Sequence, residues 1–324
     1  MDWTDLPLAR ATIDRASELR ARPDLVADLL REESTRVVLT HGGLVATTTE
    51  DGSITLDLLA PSTVVGLDLP DGGWLYLGTD GASSYVALVL ADPLVEVTDL
   101  ERFAVDGGED LVAGREWSQL RRIGAVLDAR DAGLATTAVA LAAWHKTHPR
   151  CPRCGTLTDV VQAGWVRHCP ADGSDHYPRT DPAVIMAVVD EDDRLLLGHA
   201  VQWPEHRLST LAGYVEPGEA IEHAVRREVA EEVGVVIGEV SYRGSQPWPF
   251  PASLMLAFRA RALTTQITVD GVEVTEAQWF TRAELVDQVA SGEVLLPMRS
   301  SIARVLIEEW FGGELAGDWG LTGA

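Results

Sequence analysis

Lysine is almost absent from this chain: Lys146 is the only lysine among 26 basic residues, which face 50 acids and leave a formal charge of −24 over 324 residues. A surface this negative repels polyanions over most of its area, which argues against general nucleic-acid or membrane binding. Any anionic ligand has to be met locally, for example through a metal ion. Long hydrophobic runs are absent as well. No stretch approaches the roughly 18 apolar residues of a membrane span, and the start, MDWTDLPLARATIDR, carries acids and a proline where a signal peptide needs a basic and then an apolar run. These features predict a cytoplasmic protein with no membrane partner. Cysteine is scarce too. The odd count of Cys151, Cys154 and Cys169, with the first two in a CxxC, excludes a disulfide framework and points to metal binding.

What is present suits a globular chain of two or three modest domains, with 46% hydrophobic and 23% charged residues. The patterning predicts an α+β fold. A helix is expected around PDLVADLLREES. From RVVLT to VEVTDL, short β-branched runs alternate with the turn signals HGG, EDGS, PDGG and TDGASS, as in an antiparallel sheet of hairpins. Length and alanine content predict helices over 115–130 and 133–148, the second ended by His148-Pro149. The expected divisions are a β-rich N-terminal domain over 1–125, a helical linker over 126–150 and a small cysteine-bearing ribbon over 151–178. After these come an α/β/α sandwich with a mixed sheet over 179–311, opening on the strand PAVIMAVVD, and a flexible tail over 312–324.

The densest chemistry lies in GYVEPGEAIEHAVRREVAEEVGV, residues 213–235. EPG makes a turn, Glu219 sits at a helix entrance where the dipole favours an acid, and Gly234 terminates the helix. Ile221, Val225, Val229 and Val233 recur every four residues as a buried stripe, while Glu228, Glu231 and Glu232 share another face. Like charges this close need a cation among them, and hard divalent ions such as Mg²⁺ or Mn²⁺ prefer oxygen clusters. The bland alternative is a solvated acidic face balanced by Arg226 and Arg227.

Gly213, Glu219, Arg227, Glu228, Val229, Glu231, Glu232, Gly234 and Val235 fit G-x5-E-x7-R-E-aliphatic-x-E-E-x-G-aliphatic at every fixed position. A chance match is on the order of one in 10⁸ per position. In this stretch the chain resembles the Nudix hydrolases, whose loop-helix holds divalent cations that bind a diphosphate and activate water. The run SQPWPFPAS, residues 245–253, narrows the resemblance to the NADH pyrophosphatase branch. Its prolines fix a shaped loop that is neither helix nor central strand, Trp248 and Phe250 suit stacking on planar rings, and Gln246 and Ser253 suit hydrogen bonds to ligand edges. The zinc-ribbon spacing of the branch, C-x2-C-x14-C-x2-C, is matched at Cys151, Cys154 and Cys169, with Asp172 at the fourth position. Asp172 is favoured there because its spacing from Cys169 repeats that of the CxxC. His176 is the main rival, and His168 a weaker one.

The resemblance implies further roles. Ala212, Glu228, Glu232 and Glu273 match metal-binding positions, with Glu276 the rival of Glu273, and Glu231 and Glu232 match catalytic ones. Arg227 would orient the glutamates. The substrate would meet Arg122, Tyr177, Tyr214, Ala303 and the run Gln246, Pro247, Trp248, Pro249, Phe250, Pro251, Ala252 and Ser253. For Tyr177 and Ala303 the rival reading is core packing. The implied activity is hydrolysis of NADH and NAD⁺ to AMP and nicotinamide mononucleotide by a homodimer with Mg²⁺ or Mn²⁺ and a structural Zn²⁺, with NAD-capped RNA as a further substrate. The alternatives are a Nudix hydrolase for another nucleoside diphosphate derivative such as ADP-ribose, and a catalytically dead zinc-ribbon adaptor, which would require a broken box.

Overall fold

A computed structural model describes residues 3, 5–64, 73–91, 103–105 and 111–317. The chain forms two compact units: Met1–Ala9, Asp181–Pro247 and Ser253–Ala324 make one, and Arg10–Thr180 with Trp248–Ala252 the other. No helix among the described residues is long and apolar enough to cross a membrane.

In the unit of residues 10–180 a 3-10 turn at Ser17–Ala21 precedes the first α-helix, α1 (Leu25–Leu29), which is a single turn and shorter than PDLVADLLREES suggests. Its sheet contains β1 (Arg36–His41), β2 (Leu44–Glu50), β3 (Ser53–Leu56), β4 (Trp74–Thr79), β5 (Ser84–Leu90) and β6 (Glu116–Gln119). The order is β3-β2-β1-β5-β4, with β6 on β2. The expected hairpin turns are made at Gly42-Gly43 and at Asp51-Gly52, where backbone with positive φ reverses the chain. The sheet is mixed, not purely antiparallel, because β1 and β5 pair in parallel over Arg36–His41. Most of the PDGG turn and the run VEVTDL lie outside the described residues.

The helix expected over 115–130 is replaced by β6 and a single turn, α2 (Leu120–Ile123). Residues 116–119 pair with β2 from Thr47↔Glu116 to Leu44↔Gln119, and these ladder bonds override a weak local helix preference. The second helix, α3 (Ala129–Thr147), starts where the Asp128 carboxylate accepts from Asp131 N–H and ends before Pro149 as expected. Asp131 is fully buried on it and accepts from the Leu56 N–H at 2.8 Å, which fixes the helix to β3. Three short strands follow: β7 (Asp159–Val161), β8 (Val166–His168) and β9 (Asp175–His176).

The other unit is an α/β/α sandwich. Its sheet has the order β13-β14-β10-β11-β15, formed by β10 (Asp181–Val189), β11 (Leu195–Ala200), β13 (Ile237–Trp248), β14 (Ser253–Ala262) and β15 (Val274–Phe280). A further strand, β12 (Leu211–Tyr214), pairs with β10. The parallel β10–β14 pair among antiparallel neighbours makes this sheet mixed. Alternation along β10 builds both cores. Val184, Met186 and Val188 pack against Ala224, Val225, Val229 and Val233 of α4 (Ile221–Val233), whereas Ile185, Ala187 and Val189 face Ile302, Leu306 and Trp310 of α6 (Ile302–Phe311). The remaining helix, α5 (Arg282–Ser291), opens with a Thr281–Glu284 capping box.

Residues 3–8 and 315–317 are fastened to this unit. Leu6 is in the α6 core, Trp3 Nε1 donates to Glu309 at 2.9 Å, and the Leu8 N–H donates to the Gln246 side chain at 3.3 Å. At the other end, Leu315 is buried and the fully buried Arg304 donates to the carbonyls of Leu315, Ala316 and Gly317 and to Glu308 Oε1 at 2.8 Å. The flexible tail expected from 312 is therefore tied down as far as 317, and residues 318–324 lie outside the described residues. Removing one partner of a buried pair leaves the other charge uncompensated, so Arg304→Ala should lower unfolding free energy by about 3 kcal/mol or more. Arg304→Met combined with Glu308→Leu should recover much of the loss, as read from urea denaturation curves.

Candidate active site and metal knuckles

The carboxylates on α4 are held apart by one cation. Arg227 sends Nε and Nη2 to the two oxygens of Glu219, both at 2.9 Å, and Nη1 to Glu228 Oε1 and Glu231 Oε2, each at 2.9 Å. A fifth bond runs from Nη2 to the Tyr214 carbonyl at 3.0 Å, so all five guanidinium N–H groups have acceptors. Glu219 is therefore bound to Arg227 across the turn, more than it is a helix-entrance acid, and this contact holds its carboxyl below the usual range. The same network raises the Arg227 pKa, with Glu219 as the largest cause.

Glu228 and Glu232 are buried, at 8% and 6% exposure, whereas the Glu231 side chain is largely exposed. The first glycine of the box explains the position of Glu228: a Cβ on Gly213 would lie 1.9 Å from its carboxyl carbon, so only glycine lets this side chain reach β12. Burial raises the Glu228 pKa. Glu232 is pushed further, from 4.5 to about 8, first by burial and then by the charges of Glu228, Glu273, Asp270 and Glu231. Its Oε2 is buried with no hydrogen-bond partner among the described residues. An orphaned buried carboxylate oxygen amid other carboxylates is the environment a hard divalent cation would complete, so these residues fit such an ion.

Glu273, rather than Glu276, is the later glutamate whose charge acts on Glu232 and Glu228. Asp270 sets it in place by accepting from the backbone N–H groups of Val272, Glu273 and Val274. This positioning role went unread in the sequence, although the Asp270-Gly271 pair is a turn signal three residues upstream. Ala212 lies on β12 opposite Ile185 of β10, and Tyr214, 55% exposed, places its hydroxyl 3.3 Å from Ser253 Oγ. The box and the end of SQPWPFPAS therefore meet in one unit.

The rest of that motif divides. Gln246, expected to offer ligand hydrogen bonds, is fully buried, and its amide is taken by the Leu8 N–H and by the Ser300 carbonyl at 2.9 Å. Its part is to tie three segments together. Trp248 and Phe250 pack edge to face at 5.0 Å beside the buried Pro249, with a cis peptide before Pro251. Pro249 and Phe250 also wall a cavity of about 220 Å³ with Thr40, Phe103 and Lys146. Pro247 and Ala252 are partly buried. Ala303 is buried in the α6 core, Tyr177 is 66% exposed, and Arg122 is exposed on α2.

In the other unit CPRCG and CPADG fold into matching knuckles. The Gly155 N–H donates to the Cys151 carbonyl and the Gly173 N–H to the Cys169 carbonyl, each at 2.9 Å, and both glycines take positive φ. Ligand atoms of Cys151, Cys154, Cys169 and Asp172 all lie within 4.8 Å of one another, a set that fits a structural zinc ion. Ser174, unread in the sequence, locks Asp172: its N–H and hydroxyl both donate to Oδ1, leaving Oδ2 facing Cys151 Sγ at 3.3 Å. These bonds hold the Asp172 carboxyl well below its usual range. His176 is bonded instead to the Ser174 hydroxyl, and His168 to Asp175.

Three family models match the chain: the NUDIX domain over residues 179–303, the NADH pyrophosphatase zinc ribbon domain over 146–177, and the NADH pyrophosphatase-like rudimentary NUDIX domain over 33–144. The chain is 36% identical over 320 residues to the NAD-capped RNA hydrolase NudC of Mycobacterium bovis, covering 94% of each chain. It is 41% identical over 196 residues to the human NAD-capped RNA hydrolase NUDT12, covering 57% of this chain and 42% of that protein. Among solved structures, a NUDIX hydrolase from Nitrosomonas europaea aligns with 51% of this chain and 94% of its own, at 21% identity and a TM-score of 0.37.

Two outcomes follow from this geometry. A carboxyl whose folded pKa lies above its unfolded value keeps its proton preferentially in the folded state. The stability contributed by Glu232 is therefore full below about 4.5 and lost as pH rises through about 8. Thermal melts without added divalent cation should fall over this window, and Glu232→Gln, which cannot ionise, should flatten that slope. At the knuckles, metal analysis of purified protein should find zinc retained in His176→Ala and depleted in Asp172→Ala.

Proposed function

The chain belongs to the NADH pyrophosphatase branch of the Nudix hydrolases, and we propose that it cleaves the diphosphate of NADH and NAD⁺ to AMP and nicotinamide mononucleotide and removes NAD caps from RNA 5′ ends. The observation that carries this reading is the buried Glu232 oxygen left without a partner inside an intact Nudix box, in a chain that also has the complete SQPWPFPAS motif.

In this reading Glu228, Glu232, Glu273 and the Ala212 carbonyl hold Mg²⁺ or Mn²⁺. When bound, such an ion neutralises the diphosphate and lowers the pKa of water that attacks phosphorus. Burial and its neighbours hold the proton on Glu232 near neutral pH, so as a ligand it would have to release that proton to water. Arg227 keeps Glu228 and Glu231 in fixed orientations, and Glu231, largely exposed, is the carboxylate open to water. Tyr214 offers an exposed ring for a planar base, set by its contact with Ser253. Trp248 and Phe250 select the dinucleotide. The knuckles hold Zn²⁺ through Cys151, Cys154, Cys169 and Asp172, a role suited to the reducing cytoplasm. The working unit is a homodimer, and Arg122 and Tyr177 contribute to substrate binding.

Incubating the protein with NADH, NAD⁺ and ADP-ribose in Mg²⁺ or Mn²⁺ and resolving the products tests this reading. NADH should yield AMP and reduced nicotinamide mononucleotide, and Glu232→Gln should lower kcat by about 10³-fold or more with its fold intact. Faster formation of AMP and ribose 5-phosphate from ADP-ribose would reassign the substrate, and turnover of Glu232→Gln within about threefold of wild type would remove Glu232 from the metal site.

A further inference from the structure

Residues 13–20 run along the edge of β4, where Asp14 and Thr79 exchange backbone hydrogen bonds of 2.9 and 2.8 Å. Gly78 allows this approach, since a Cβ there would lie 2.2 Å from the Asp14 carbonyl oxygen. The segment carries two arginines to one indole. The Arg20 guanidinium lies 3.6 Å from the Trp165 ring centroid and that of Arg15 5.6 Å. Trp165 is presented by the turn Gln162-Ala163-Gly164, three successive residues with positive φ, and its Nε1 is anchored to the Tyr76 carbonyl at 2.7 Å. Ala16 also has positive φ. Such backbone is unfavourable for alanine and glutamine and concentrates where geometry serves a ligand.

Gathering two guanidinium groups without a carboxylate is costly, and neither Arg15 nor Arg20 has an ion-pair partner within 4.0 Å among the described residues. Asp14 uses its carboxylate on the Ala16 N–H. Glu18 acts on Arg20 less strongly than Arg15 does. Among the described residues two polar atoms here are orphaned: Arg20 Nε is buried without an acceptor, and the hydroxyl of Tyr76, a residue with 0% exposure on which Glu18, Asp14 and Arg20 act electrostatically, has no partner. Each such group forfeits its hydration without a hydrogen bond in return until it is satisfied. Both orphaned atoms can donate, Arg20 is cationic and Arg15 beside it adds a second positive charge, so the complement is an anion with several acceptor oxygens. Guanidinium forks match phosphate in this way.

We propose that Arg15, Arg20 and the Tyr76 hydroxyl form a phosphate-binding site beside Trp165. The inference does not depend on what the carboxylate cluster hydrolyses. The phosphate can come from free orthophosphate or from a phosphodiester of an RNA strand, and the full chain distinguishes the two. Titrations with orthophosphate and with an uncapped, unstructured oligoribonucleotide are run without added Mg²⁺ or Mn²⁺. Wild-type protein should bind at least one probe, and Arg15→Gln/Arg20→Gln should weaken that binding by about tenfold or more while NADH turnover is unchanged. Binding of orthophosphate alone assigns the free ion. Binding of the strand, with a log–log salt slope that shrinks by about 0.7 in the double variant, assigns the phosphodiester. Tyr76→Phe should weaken binding severalfold without lowering the melting temperature of the phosphate-free protein, because its hydroxyl has no partner to lose. The site is overturned if neither probe binds or if the double variant binds as wild type does. A lowered melting temperature in phosphate-free Tyr76→Phe would remove the hydroxyl from it.

Discussion

One guanidinium organises the carboxylate cluster. Arg227 has five N–H groups, and Glu219, Glu228, Glu231 and the Tyr214 carbonyl accept all five. Through this set, the turn after β12, the second half of α4 and the strand itself are fastened to a single planar group. A lysine could supply the charge but not five fixed directions. With Arg227 occupied, Glu232 has no ion-pair partner among the described residues and is buried with one oxygen unpartnered. The cluster is thus divided into carboxylates satisfied by protein and carboxylates left for a cation.

The residues that chemistry requires at fixed spacing were legible in the sequence. The box, the knuckles and the QPWPFP loop depend on side-chain type and short separations, and Gly234 and Asp172 stand where spacing puts them. The β10 alternation and the α4 stripe were legible for the same reason. What the sequence concealed depends on contacts far along the chain. Residues 116–119 look helical but meet a free edge on β2. Gln246 looks like a ligand contact until residues 8 and 300 close on its amide. Gly213 is a motif letter whose reason appears only when Glu228 is seen against it.

The knuckles show how one substitution in a repeated device is accommodated. CPRCG and CPADG have the same backbone bonds and the same glycine geometry, so the fourth position is presented whichever side chain fills it. A carboxylate has two oxygens where a thiolate has one sulfur, and an unrestrained aspartate could turn either outward. Ser174 removes that freedom by holding Oδ1 with two donors, so a single oxygen is offered.

The fastening of residues 3–8 to the sandwich has a bearing on the order in which the protein takes shape during synthesis. Leu6, Trp3 and the Leu8 N–H find their partners on α6 and at Gln246, segments made after the whole unit of residues 10–180. A domain that folds as its residues leave the ribosome can close early, and the unit of 10–180 has nearly all its sequence in one piece. The sandwich cannot. Its apolar residues within 3–8 wait while residues 10–180 are made, and α6 both seals the core and receives them, so residues made ahead of the other unit are buried only after it.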